Sequence, residues 1–215
     1  MDEPFFWEDY IIDEPITNNL IRNWRFIKYE MLLVKRLLPK FLDKYPVLPI
    51  KDPITGKRVK LYDNKWLVTP VSLLDEDYSS EVKTINKRLG KVNLDDLLKK
   101  YRPFFAPFLH NAIKKPEAEG ILANSFYSVL SPGTIIRPHK GYSKKYMRIH
   151  LCLIDDENCM ITVGNETKTW KCGNIIAFKD GGPYYHSVAH NGNRDRYVLS
   201  VDLKLDYLKQ YTKGL

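Results

Sequence analysis

Four of the chain's five histidines, His139, His150, His186 and His190, fall in its strand-rich part beyond residue 123. Neutral imidazole nitrogens are good ligands for transition metals. His139 sits in Arg137-Pro138-His139-Lys140-Gly141, just ahead of a glycine turn, and His186 follows 47 residues later. Two histidines near the start and end of a strand series could meet across the mouth of a β-barrel and share one metal ion. The spacing alone is a weak signal, because a histidine is more often a satisfied core or surface residue. His190 competes with His186, since both have the same strand parity and would face the same way.

Two arginines sharpen the pattern. Arg148 lies in Met147-Arg148-Ile149-His150-Leu151, and Arg196 in Arg194-Asp195-Arg196-Tyr197-Val198-Leu199. Each sits in or beside an apolar strand pattern, where a guanidinium must find an anion or bear a heavy desolvation penalty. A dicarboxylate ligand would supply that anion in the bidentate geometry arginine favours. An internal ion pair with Asp195 or Asp202 would serve equally, and the sequence leaves these two readings level.

The elements that must hold these side chains are short strands. Candidates are Ser125–Leu130, Thr134–Arg137, Met147–Ile154, Met160–Val163, Lys168–Trp170, Ile175–Phe178, Tyr184–Ala189 and Tyr197–Leu203. Pro132-Gly133, Lys140-Gly141, Gly164-Asn165, Cys172-Gly173, Gly181-Gly182 and Asn191-Gly192 punctuate them. Short strands at regular spacing with turn signals point to a sandwich, barrel or jelly roll. Upstream, Leu20, Trp24, Ile27, Met31, Val34 and Leu38 form one apolar stripe, which predicts a helix over Thr17–Leu38. Residues 45–74 turn proline-rich and β-like, with Thr55-Gly56 as a hairpin turn. Asp75–Gly90 is polar and reads as helix or loop. Leu94–Lys115 is helical in pattern, broken or kinked at Pro103 and Pro107. No linker-like stretch appears, so residues 1–215 read as a single domain. Residues 1–120 are a helical and mixed support region for an all-β core over 121–205, giving a mainly β fold with N-terminal helices.

Composition bounds the rest. At 215 residues, 44% hydrophobic and 28% charged, the chain can bury roughly 70% of its unfolded surface. Disordered, collagen-like and low-complexity classes are excluded. No apolar run approaches the roughly 20 residues of a membrane-spanning helix. Three cysteines, Cys152, Cys159 and Cys172, are too few for a disulfide framework and lack the short pairs of a structural zinc site. They read as reduced thiols, which with no visible signal peptide predicts a cytoplasmic protein. The net charge is +8, although Met1–Glu14 carries six acids and no Lys or Arg. An acidic arm on a basic body could attract an anionic partner, although a solvated lysine-rich surface is the more ordinary reading. No basic run is interleaved with stacking aromatics, so nucleic acid is not the expected partner.

The run from Tyr127 to Leu203 resembles the catalytic core of the aspartyl/asparaginyl β-hydroxylases. The resemblance is carried by Tyr127-Ser128-Val129-Leu130-Ser131-Pro132-Gly133-Thr134, Pro138-His139-Lys140-Gly141 and Met147-Arg148-Ile149-His150-Leu151. It continues through Asn165–Trp170, Gly173, Phe178-Lys179-Asp180, His186, and Arg196 ahead of Val201-Asp202. It implies a double-stranded β-helix (a jelly-roll or cupin-like core) that uses Fe(II), 2-oxoglutarate and O2 to hydroxylate an unactivated carbon. The β-carbon of an aspartyl or asparaginyl residue, or of a related amino acid or peptide, is the implied target. The iron ligands map to His139 and His186. Arg196, ten residues after the second ligand as in the family, and Ser128 map to one carboxylate of 2-oxoglutarate. Arg148 and His150 map to the metal side or the substrate, and Trp170 and Asn165-Glu166-Thr167 read as structural. Non-haem iron sites usually add a carboxylate two residues after the first histidine, where this chain has Gly141. The family shares that gap, which water, Asp180 or a halide would fill. The segment before His186 departs from the family, being about two residues longer through Gly181-Gly182. The excess positive charge favours an acidic peptide, protein or amino-acid substrate. The competing expectation is a catalytically silent β-helix that binds an anion or metal or joins a complex. It requires no convergence of His139 and His186, and an internal acid paired to Arg196.

Overall fold

The computed structural model describes residues 3–37, 43–44, 49–73 and 94–212; Leu38 and the stretch 75–90 lie outside them. Helices α1 (Glu8–Ile11), α2 (Pro15–Arg22) and α3 (Trp24–Leu37) open the chain. The single helix expected over this span is therefore two. At Asn23 the backbone leaves helical geometry (φ −99°, ψ 9°), and the Asn23 side-chain amide donates to the Asn19 carbonyl at 2.9 Å. The hydrogen-bond ladder resumes at once, Ile27 N–H donating to Asn23 O at 3.0 Å. The apolar stripe thus survives the break, with Leu20, Ile27, Met31 and Val34 all buried.

Glu14, part of the acidic N-terminal run, is fully buried as the cap of α2. Its carboxylate accepts from Ile16 N–H at 2.9 Å and Thr17 N–H at 2.7 Å, two donors that the helix start leaves without partners. The Tyr207 hydroxyl donates to it as well, at 2.6 Å.

Strand β1 (Asp43–Lys44) is followed by a hairpin, β2 (Pro49–Lys51) and β3 (Arg58–Lys60), whose turn needs Gly56 at φ +67°. Strand β4 (Trp66–Leu73) leads on to α4 (Leu94–Phe105) and α5 (Pro107–Ala118). The expected break falls at Ala106: Pro107 starts the new helix, where a missing N–H costs nothing, and Pro103 stays inside α4. All the expected C-terminal strands form: β5 (Leu122–Leu130), β6 (Ile135–His139), β7 (Tyr146–Ile154), β8 (Cys159–Val163), β9 (Glu166–Thr169), β10 (Ile175–Phe178), β11 (His186–His190) and β12 (Arg196–Lys204). Helix α6 (Leu205–Leu208) follows.

One sheet runs β1-β4-β5-β12-β7-β10 and a second runs β6-β11-β8-β9, all pairs antiparallel. This is the jelly-roll core with N-terminal helices that the strand pattern predicts. The larger sheet is buried on both faces, and period-2 alternation assigns its residues to two cores. Tyr127, Val129, Ile149, Leu151, Leu199 and Val201 join the helices' Leu20, Ile27, Met31, Leu109 and Ile113. Leu130, Cys152, Ile176, Phe178 and Val198 join the smaller sheet's Ile136, Cys159, Ile161, Val163 and Val188. All three cysteines are free thiols. Among the described residues no helix is long and apolar enough to cross a membrane.

Glu14→Ala should lower stability by about 1–2 kcal/mol, the usual scale for a lost cap, read as a reduced urea midpoint. An unchanged midpoint would show that Glu14 does not hold α2.

Candidate active site

The same alternation that places Ile149 and Leu199 toward the helices turns Arg148, His150, Ser128 and Arg196 toward the space between the sheets. Register then stacks them. Val198 pairs with Ser128 on one side and Cys152 on the other, Ser200 with His150, and Asp202 with Arg148. From the smaller sheet, His186 is the Cα partner of His139. The two imidazole rings stand with centroids 4.1 Å apart. Five strands thus bring the histidine pair and the sequence-predicted arginines, Ser128 and His150 onto one inner surface.

His139 Nδ1 lies 2.8 Å from the Arg137 carbonyl oxygen. A carbonyl only accepts, so this nitrogen carries the proton and Nε2 keeps its lone pair, the tautomer of a metal ligand oriented by its surroundings. His186 is buried, and its Nδ1 has no partner among the described residues. His190, its rival in the sequence, is closed off instead. Its Nε2 contacts the Arg194 carbonyl at 2.9 Å and its Nδ1 accepts from Gly192 N–H at 3.3 Å, tying down the β11–β12 turn.

The two arginines resolve the alternatives differently. Arg148 Nε and Nη2 donate to the two Asp202 oxygens at 2.8 and 2.9 Å, and Nη1 donates to Asp180 Oδ1 at 2.8 Å. It is held internally. Arg196 is 2% exposed, and its Nε and Nη1 have no partner among the described residues. Around it are the Cys159 and Cys152 thiols and the Trp170 ring, 4.5 Å beneath the guanidinium. Burial pulls this guanidinium below its usual range. Ser128 Oγ accepts from the Trp66 indole N–H at 2.9 Å, which leaves the serine's own proton free to donate elsewhere.

Asp180 explains the glycine where iron sites usually carry a carboxylate. A Cβ at Gly141 would overlap the Asp180 carboxylate, and Gly141 N–H donates to the Asp180 carbonyl at 2.7 Å. Asp180 Oδ1 also comes within 3.3 Å of His186 Nε2. Among the described residues no three His, Cys, Asp or Glu side chains form a ready-made metal cage. The donor set is a pair of imidazoles with one carboxylate beside them.

Burial lowers the pKa of His139, and lowers those of His150 and His186 well below the ordinary value. For His150 the Arg196 and Arg148 guanidiniums add to the effect; for His186 the neighbouring His139 and Arg148 do. All three rings are neutral at pH 7, as metal ligation requires. The 3.3 Å approach of Asp180 to His186 is therefore not an ion pair. Trp170, Trp66 and Asp202 are the residues that sequence reasoning did not assign to the site. Their signal, an aromatic or acid at inward parity, becomes readable only once strand register is known.

Residues 100–205 match the family model for aspartyl/asparaginyl beta-hydroxylase. The aspartyl/asparaginyl beta-hydroxylase of Homo sapiens is 37% identical over 92 residues, which is 42% of this chain and 12% of that protein. The ornithine lipid ester-linked acyl 2-hydroxylase of Rhizobium tropici is 30% identical over 84 residues, 38% of this chain and 29% of its own length. The chain thus spans less than a third of either relative. Among solved structures, a Pseudomonas putida prolyl-4-hydroxylase aligns over 84% of this chain and 86% of its own, at 11% identity and TM-score 0.44.

Two expectations follow from the geometry. Gly141→Ala should cost about 1–3 kcal/mol, the usual scale for overpacking, and Asp180→Gly in the same chain should relieve much of it. Equal urea midpoints for wild type and Gly141→Ala would refute the clash. The second concerns pH. The folded chain holds its site histidines neutral, so below their ordinary pKa of about 6.5 the unfolded chain takes up protons that the folded one refuses. Stability is therefore retained above that value and lost on acidification. The urea midpoint should fall between about pH 7.5 and about pH 5.5, and His150→Leu should narrow the fall. A midpoint that climbs on acidification would contradict this.

Proposed function

We propose, from the match of residues 100–205 to the aspartyl/asparaginyl beta-hydroxylase family model, that this protein is an Fe(II)- and 2-oxoglutarate-dependent hydroxylase. The observation that carries the reading is Arg196: a guanidinium buried between two sheets, with Nε and Nη1 unpartnered and no acid against it among the described residues. Leaving a buried charge unpaired costs several kcal/mol, so the site is built for an anion from outside the chain. The silent-module alternative needed Arg196 to pair internally, and the observed surroundings do not favour it.

The residues present fit an iron site of the two-histidine kind: neutral imidazoles facing each other, one with its tautomer set by a carbonyl. An iron(II) held by His139 and His186 would supply C–H hydroxylation coupled to conversion of 2-oxoglutarate and O2 into succinate and CO2. This chain's own groups do the binding and orienting. Arg196 takes one carboxylate of 2-oxoglutarate in bidentate fashion, and the Trp170 ring fixes the plane of its guanidinium. The Ser128 hydroxyl, with its oxygen occupied by Trp66, points its proton to the same carboxylate. His150, neutral and with Nδ1 unpartnered, offers a hydrogen-bonding edge further along the ligand. Arg148 keeps Asp180 and Asp202 in place and is not displaced from its own partners. Phe178, 5.0 Å from the His186 ring and 5.3 Å from that of His150, excludes water from the reacting side.

For substrate we infer the β-carbon of an aspartyl or asparaginyl residue, or a related amino acid or peptide. Support comes from the family and from the positive charge of the chain beyond its acidic first segment. Residues 121–205 are read as the catalytic core and 1–120 as its support.

Anaerobic titration with iron(II) and 2-oxoglutarate tests the assignment. A weak visible charge-transfer band should require both components, vanish in His139→Ala, and need at least about tenfold more 2-oxoglutarate in Arg196→Met. Well-folded wild-type protein that gives no band would overturn the reading.

A further inference from the structure

Strand β10 is the outer strand of one sheet and β9 the outer strand of the other. Residues 3–8 run along the seam between them. Trp7 N–H donates to the Ala177 carbonyl on the free edge of β10 at 2.8 Å. Glu8 reaches both sides, accepting from Lys168 Nζ of β9 at 2.6 Å and from Ala177 N–H at 3.4 Å. Phe6 is buried in the core between the sheets, under the ammonium of Lys168 at 4.5 Å. Phe5 lies so close on the β8–β9 turn that a Cβ at Gly164 would overlap its ring.

This segment also grips the loop that carries the candidate site. Phe5 packs on Tyr184 with ring centroids 4.5 Å apart, and the Tyr184 hydroxyl donates to the Glu3 carbonyl at 3.0 Å. Lys179 pairs with the Glu3 carboxylate at 2.9 Å while its ammonium sits 4.4 Å from the Trp7 ring. Lys179 and Tyr184 bracket Asp180, Gly181 and Gly182, and His186 follows two residues after Tyr184. On its other side the loop passes so close to the backbone at Ser143 that only glycine fits at position 181. With two adjacent glycines this loop has little conformational stiffness of its own.

We propose that residues 3–8 are a positioning strap: they clamp the 179–185 loop from outside and so set where Asp180 and His186 stand relative to His139. The acidic first segment thereby has a use beyond its charge. Within residues 3–8, Glu3 and Glu8 pair with lysines on either side of the seam, and Phe5, Phe6 and Trp7 fill it. The consequence for metal binding rests on the hydroxylase reading; the consequence for the loop does not.

Hydrogen exchange in the metal-free protein tests the loop directly. In Phe5→Ala, amides of residues 178–188 should exchange about tenfold faster, while those of β7 and β12 stay at wild-type rates. Phe5→Tyr, which keeps the ring, should behave as wild type. Glu3→Lys should give a smaller rise of about threefold, reversed when Lys179→Glu is added. Cobalt(II), followed by its visible ligand-field bands, probes the histidine pair: half-saturation should need about tenfold more metal in Phe5→Ala and recover in Phe5→Tyr. Wild-type exchange over 178–188 in Phe5→Ala would overturn the strap. So would faster exchange there with an unmoved cobalt titration. If wild-type protein binds no cobalt, the metal reading fails and the exchange result alone decides the strap.

Discussion

Arg148 is the tie on which the site depends. Its guanidinium joins Asp202 of β12 to Asp180 of the loop after β10. All three groups are largely withdrawn from water, so removing Arg148 would take from two buried carboxylates the cation they share, a loss of several kcal/mol. The tie is what lets a glycine-rich loop deliver a carboxylate beside His186. Arg196 lies on the same inner face with the opposite arrangement, its guanidinium surrounded by thiols and an indole. Of the two buried arginines, Arg148 is matched by two acids, and Arg196 has no acid against it among the described residues.

That arrangement sets the electrostatics of the histidines. Three imidazoles lie close to two guanidiniums in the buried space between the sheets, and desolvation and charge repulsion act in the same direction on His150 and His186. The rings have no reason to protonate, and neutral rings are the form that ligates a cation. The neutral rings and the guanidinium of Arg196 that the proposed site needs lie on one inner surface.

The β architecture was legible because each strand carries its own punctuation: Pro132-Gly133, Gly164-Asn165 and Asn191-Gly192 end strands whatever the tertiary context. His139, His186, Ser128 and Arg196 were legible as a set through motif order. The break at Asn23 was not, because an apolar stripe of period 3.6 continues through it, and only the local backbone at one residue changes. Nor was the fate of the arginines. Whether Arg148 meets Asp202 is a question of register between β7 and β12, strands separated by some fifty residues of chain, and register is a tertiary property. Trp170 failed for the same reason: a tryptophan at a strand end reads as core until the guanidinium above it is placed.

Gly141 shows how an apparent loss in sequence can be a steric requirement. A side chain there and the Asp180 carboxylate cannot occupy the same space. A carboxylate two residues after the first histidine would project from the backbone turn; Asp180 arrives instead from the opposite sheet's connecting loop, already neutralised by Arg148. An acid so paired is a weaker donor to a cation than a free one, and it is also a fixed hydrogen-bond acceptor that does not need to move. The arrangement exchanges a direct ligand for a rigid polar wall beside the histidine pair. It works only while the loop stays in register with both sheets, which is why the glycines at 181 and 182 and the aromatic residues packed outside them belong to the same design as the histidines.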